Sequence, residues 1–87
     1  VTARYRVEVS KPAGKQIAGF DRTAQNRIID RLTALGDNPR PAGSKKMAGP
    51  EAFWRIRVGD YRVIYSIEDA RLVVLVIKIG HRREVYR

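Results

Sequence analysis

The sequence predicts an α+β domain in which two N-terminal helices pack on a curved, largely antiparallel four-stranded sheet. Three observations predict it. Apolar residues recur at helical spacing from Ala13 to Leu35, they alternate with polar ones over residues 53–67, and they run unbroken from Leu72 to Ile77. A helical pair followed by strands joined through short turns is the pattern of helices segregated to one face of an antiparallel sheet. At 87 residues the chain is one domain, 1–87, with no linker and no internal repeat.

Each element has its own signal. Over Arg4–Ser10, apolar Tyr5, Val7 and Val9 alternate with Arg4, Arg6 and Glu8, as in a half-buried strand. Ser10 reads as a helix cap, with Pro12 in the first turn where a missing N–H costs nothing; Gly14 and Gly19 keep that helix short. Asp21 caps a second helix, in which Ala24, Ile28, Leu32 and Leu35 share one face and Arg22, Asp30 and Arg31 lie largely opposite. The Gly36–Asp37–Asn38–Pro39 cluster stops it, and a loop rich in Pro and Gly runs on to Ser44.

The second half reads as sheet. Lys45–Met47 fits a short strand before a turn at Gly49–Pro50. In Phe53–Val58, Trp54, Ile56 and Val58 point one way and Phe53, Arg55 and Arg57 the other. Gly59–Asp60 makes a tight hairpin turn into a strand at Tyr61–Ile67. A turn at Glu68–Asp69–Ala70 leads to the last strand, Arg71–Ile79, apolar enough to need cover on both faces. The segment His81–Arg87 is a polar tail.

Composition narrows the function. Apolar residues make up 44 % of the chain, as in a globular protein, and the absence of cysteine removes disulfides, thiolate metal sites and thiol nucleophiles together. No apolar run approaches a membrane span or a signal-peptide core, which fits a soluble cytoplasmic protein. Eighteen Lys and Arg against nine Asp and Glu leave a net charge of +9, spread over both halves of the chain. Such an excess attracts polyanions, nucleic acid above all, although it suits an acidic protein partner too. Gly-rich phosphate loops, paired-histidine metal motifs and a Ser-His-Asp set are missing, and the few carboxylates fall at turns and caps. No metal and no cofactor is expected.

What remains is a set of cations on adjacent strands. Arg55 and Arg57 share a strand face, and Arg62 begins the partner strand across the turn. His81 and Arg82 leave the last strand, with Tyr86 shortly after. Taken singly, each has a plainer meaning: a solvated strand face, an ion pair, a surface histidine, a frayed terminal tyrosine.

Two segments give the set a different meaning. Phe-Trp-Arg-Ile-Arg-Val-Gly-Asp-Tyr-Arg-Val-Ile-Tyr (53–65) resembles the central hairpin of the RelE/ParE toxin superfamily. Val-Ile-Lys-Ile-Gly-His-Arg-Arg-Glu-Val-Tyr (76–86) resembles its closing strand and tail. The first strand, the two helices and the Asn-Pro-Arg-Pro loop match its layout as well, so the resemblance covers essentially the whole chain.

The resemblance implies a toxin of a bacterial type II toxin–antitoxin system, and the RelE type is the better match because its catalytic positions are occupied. It implies a ribosome-dependent endoribonuclease in which the ribose 2′-OH attacks the adjacent phosphate, leaving a cyclic phosphate and a 5′-OH. Arg55 and Arg57 stand where such toxins carry two basic residues, often lysines; Arg62, Arg82 and Tyr86 stand at the hairpin arginine, the arginine after the last strand and the C-terminal tyrosine. Guanidiniums at 62 and 82 would meet the charge of a phosphorane-like transition state, and Tyr86 would stack on a base. Arginine holds its proton too tightly to be a general base, so proton transfer falls to His81 or Tyr86 unless the pair acts only as a clamp. Partners implied are a cognate antitoxin, with Trp54 or the second helix as apolar anchor, and the ribosome with its mRNA. Lys45, Lys46, Lys78, Arg83 and Arg87 are candidates for RNA contact. Two rival classes stay open: a ParE-like gyrase inhibitor without nuclease activity, and a noncatalytic basic RNA-binding module.

Overall fold

A computed structural model describes residues 4–81. Its elements run β1 (Arg6–Val9), α1 (Lys11–Ala18), α2 (Arg22–Asp37), β2 (Lys45–Lys46), β3 (Phe53–Val58), β4 (Tyr61–Glu68) and β5 (Val73–His81). Both helix starts are set by the capping residues read from the sequence. Ser10 Oγ accepts the amide of Ala13 at 3.2 Å, and Asp21 Oδ1 accepts that of Ala24 at 2.7 Å. No helix among the described residues is long and apolar enough to cross a membrane.

The strands form one sheet in the order β1-β5-β4-β3-β2. It has five strands rather than the expected four, because the Lys45–Lys46 segment pairs antiparallel with Arg55 and Trp54. β1 and β5 run parallel while every other pair is antiparallel. A parallel neighbour needs a long connection, and the helices and hairpins between Val9 and Val73 supply it.

The helices cover one face of the sheet. Ala13, Ile28, Leu32 and Leu35 meet Ile56, Val58, Val63, Tyr65, Val74, Val76 and Ile79 in a single buried core. Burying such side chains contributes about 1.5–3 kcal/mol each before conformational entropy is set against it. Gly36 is part of α2 rather than its stop, and Asn38 is the residue after the last turn. The missing side chain at Gly36 has a purpose. Gly36 O accepts the amide of Tyr5 at 2.8 Å, and a Cβ at Gly36 would stand 3.0 Å from Tyr5 O.

Alternation in β3 is as the sequence predicts: Ile56 and Val58 are buried, Trp54 is half-buried beside them, and Arg57 is exposed on the other side. The hairpin is a two-residue turn in which Gly59 has φ +60°, a conformation that suits glycine. The helices cover one face of β5, and the other is only partly buried, at Val73. Val74 and Val76 are fully buried under the helices, whereas Leu75 stays partly exposed and Leu72 lies outside the strand. Between Ile64 and Tyr65 the β4–β5 register shifts, with Ile64 opposite Lys78 and Tyr65 opposite Val76, so Ile77 is the extra residue of a bulge. Beyond it, Lys78 and Gly80 turn to the open face while Ile79 and His81 turn to the helices.

Candidate functional site

The face of the sheet away from the helices carries the cations. Strand register places Lys45 opposite Arg55, and Arg57 opposite Arg62. Like charges directly across an antiparallel pair oppose stability, each pair by about 0.2–1 kcal/mol. Here two such pairs stand side by side. With Gly43 and Ile56 they line an open cleft of ≈ 300 Å³. Lys78 shares the face, one strand beyond Ile64, which itself faces Arg55. Among the described residues, the carboxylates of this face, Glu8 and Glu68, lie at its other end and are taken by Arg6 at 2.7 Å and Arg71 at 2.9 Å. One end of the surface is therefore left strongly positive.

The individual positions are held by the strands. Arg57 Nε donates to the Gly59 carbonyl at 2.9 Å, which draws its side chain back along the hairpin. Arg62 is half-buried, with its Nε out of contact with solvent. Its place on this face follows from the hairpin, because a turn at residues 59–60 pairs 58 with 61 and hence 57 with 62. Guanidiniums fixed on strands keep their geometry as charge develops on a bound phosphate, which electrostatic stabilisation requires.

Other expected residues are not brought here. His81 pairs with Tyr61, and their rings meet edge to face at 5.9 Å, with the Phe20 ring tilted against Tyr61 at 4.4 Å. That cluster belongs to the helix-covered side. Lys46 pairs with Trp54, also away from the cleft. Arg82, Arg83, Tyr86 and Arg87 lie outside the described residues. Among the described residues no group of three His, Cys, Asp or Glu side chains could hold a metal ion.

One group, on the helix-covered side and at the far end of β4 from Arg62, had no signal in the sequence. The loop after α2 passes around the sheet edge, pinned by Tyr65, whose buried hydroxyl donates to Pro39 O at 2.7 Å. Next to it Arg40 forks onto Asp69 of the β4–β5 turn, at 2.9 and 3.3 Å, and lies over the Trp54 ring at 5.3 Å. Tyr5 donates its hydroxyl to the same carboxylate. Arg40 and then Tyr5 hold the Asp69 carboxyl below the usual carboxylate range, and the bond to Asp69 raises the Tyr5 phenol. The partners are 29 and 64 residues apart, too far for spacing to reveal.

Two helices on one face of a mixed sheet, with a basic cleft on the other, define the RelE/ParE class of small toxins. A family model described as the ParE toxin of the type II toxin–antitoxin system parDE matches residues 7–86, and the chain belongs to this family. Proteins named RelE are among those it resembles. The mRNA interferase toxin RelE of Escherichia coli is 27 % identical over 85 residues, spanning 94 % of this chain and 90 % of that protein. The archaeal RelE–RelB complex from Pyrococcus horikoshii superposes with a TM-score of 0.82 at 28 % identity, covering 91 % of this chain and 96 % of that one. The isolated E. coli RelE toxin gives 0.77 at 27 % identity, covering 94 % and 90 %.

Proposed function

We propose that the chain is a cytoplasmic endoribonuclease toxin that cuts mRNA on the ribosome without a metal. The observation that carries this reading is the cleft itself, where Lys45, Arg55, Arg57 and Arg62 converge at the cost of two like-charge pairs. A relative named mRNA interferase lends support.

In this reading the ribose 2′-OH attacks the neighbouring phosphorus, the 5′-oxygen leaves, and a 2′,3′-cyclic phosphate forms. Negative charge gathers on the nonbridging oxygens. Arg62 and Arg82 meet it with forked hydrogen bonds, which a planar guanidinium offers and an ammonium does not. Arg55 and Arg57 clamp the flanking phosphates rather than exchange protons, since neither gives up its proton near neutral pH. Tyr86 stacks on a base, for about 1–3 kcal/mol, and is the group left to assist proton transfer. Lys78, Lys45, Lys46, Arg83 and Arg87 add salt-sensitive contacts to RNA.

A cognate antitoxin completes the proposal. Structural relatives are described as RelE in complex with RelB. The surface that suits such a partner is apolar and lies along α2 rather than at Trp54, which already carries Arg40. There Val9 and Ile29, 42 % and 49 % exposed, flank a groove with Val7, Ile17 and Leu32.

The deciding experiment incubates the protein with translating ribosomes and end-labelled mRNA, with a gyrase supercoiling assay in parallel. Cleavage by the wild type, lost in Arg82→Ala and Tyr86→Ala, supports the nuclease. Blocked supercoiling with intact mRNA identifies a gyrase inhibitor instead, and neither effect leaves a noncatalytic RNA-binding module.

A further inference from the structure

The loop over residues 38–44 is where the cleft gains its third wall. It delivers Gly43, with φ +91°, and Lys45 to a surface otherwise built by β3 and β4. β2 is only two residues long, so strand pairing alone holds this wall weakly. Upstream, the loop is fastened at successive residues: Asn38 Oδ1 accepts the Arg40 amide at 3.1 Å, Pro39 O accepts the Tyr65 hydroxyl, and the Arg40 side chain grips Asp69 while stacked on Trp54. The Ser44 amide then closes a turn onto Pro41 O at 3.0 Å.

An exposed ion pair alone contributes little to stability. This one is forked, stacked on an aromatic ring and bonded to a second side chain, all of which restrict its geometry. We propose that the Arg40–Asp69 pair is a positioning clasp for substrate, fixing the loop so that Gly43 and Lys45 form a wall of the RNA cleft. Neither residue touches the RNA. The proposal rests on the reading of the cleft as an RNA site.

Charge and position predict opposite signs, which makes the clasp testable. Asp69→Asn raises the net charge by one, and electrostatics alone would tighten the hold on RNA. Loss of the clasp loosens the wall, which acts on bound substrate and transition state alike. The expected result is a KM for cleavage of ribosome-bound mRNA raised about tenfold, with kcat within about twofold of wild type. A variant that is merely less folded would lose active enzyme, lowering kcat and leaving KM unchanged. Arg40→Lys should not rescue, because the fork and the stacking are lost with the guanidinium. The double variant Arg40→Ala/Asp69→Ala should be no worse than the weaker single one.

Amide hydrogen exchange supplies a readout independent of cleavage. Met47 donates to Phe53 O at 2.8 Å, and exchange at Lys45 and Met47 should quicken in Asp69→Asn while the β4–β5 amides stay protected. Unchanged exchange there, or an unchanged or lowered KM, overturns the clasp and leaves the nuclease reading standing. A wild-type chain that cuts no mRNA overturns both.

Discussion

Gln16 Oε1 accepts the backbone amide of Ile79 at 2.7 Å, so a helix side chain occupies the place of a strand. β1 pairs with β5 only as far as Val76, after which the chain turns into α1. Ser10 Oγ donates to Ile77 O at 2.8 Å just beyond that point. Together the two side chains satisfy the edge of β5 across the bulge that turns Lys78 toward the arginines.

Gln16→Ala should therefore destabilise by about 1–3 kcal/mol, the range for stranding a buried backbone amide. Gln16→Glu keeps an acceptor and should cost less. Urea denaturation of the two variants checks this, and equal midpoints for wild type and Gln16→Ala would show that water replaces the side chain freely.

Gly36→Ala pits helix propensity against space. Alanine in a helix interior is normally favoured by roughly 0.5–1 kcal/mol. At this site the new Cβ would press on Tyr5 O, a backbone atom of a residue whose amide is already bonded to the helix. A net loss of about 1 kcal/mol is expected, since overpacking costs of order 1–3 kcal/mol. Calorimetry reads it as a lowered Tm; a raised Tm would mean that β1 yields without penalty.

The clasp also sets a pH window. Asp69 has a depressed pKa in the fold, caused first by Arg40 and then by Tyr5. Its contribution is present above the ordinary carboxylate value of about 3.9 and lost as pH falls through the lower folded value. Tyr5 has a raised pKa, caused first by its bond to Asp69. That contribution is complete below the ordinary phenol value of about 10 and lost as pH rises through the folded one. The Tm difference between wild type and Asp69→Asn should stay flat through neutral pH and shrink in acid. A difference that grows in acid contradicts the assignment.

His81→Ala should retain cleavage within a few-fold across pH 6–9. Its ring meets Tyr61 on the helix-covered side, whereas Arg57 and Arg62 face the other way. An acid limb of the activity profile that disappears in the variant would return the proton-transfer role to this residue.

Much of the fold was legible because it rests on local signals. Ser10 and Asp21 announce their helices, and the Phe53–Val58 alternation fixes which side of β3 is buried. The Arg57–Arg62 pairing was legible too, since counting outward from a two-residue turn gives it directly. Three features were not. The parallel β1–β5 pair joins segments that leave no mark on one another. The bulge at Ile77 has no residue signature and reverses the faces of everything after it, which is why His81 reads from sequence as a neighbour of the arginines. The Arg40–Asp69 clasp is a contact between a loop and a distant turn, each ordinary alone.

In the proposed reaction these arginines promote attack by the RNA's own 2′-OH. The most direct measurement is the chemistry of the cut ends on ribosome-bound mRNA, in the presence of a chelator, for wild type and Arg62→Ala. The wild type should leave 2′,3′-cyclic phosphate and 5′-OH ends, with a rate lower by about 10²–10³-fold in the variant. Ends bearing a 5′-phosphate, cleavage abolished by the chelator, or an Arg62→Ala rate equal to wild type would contradict it.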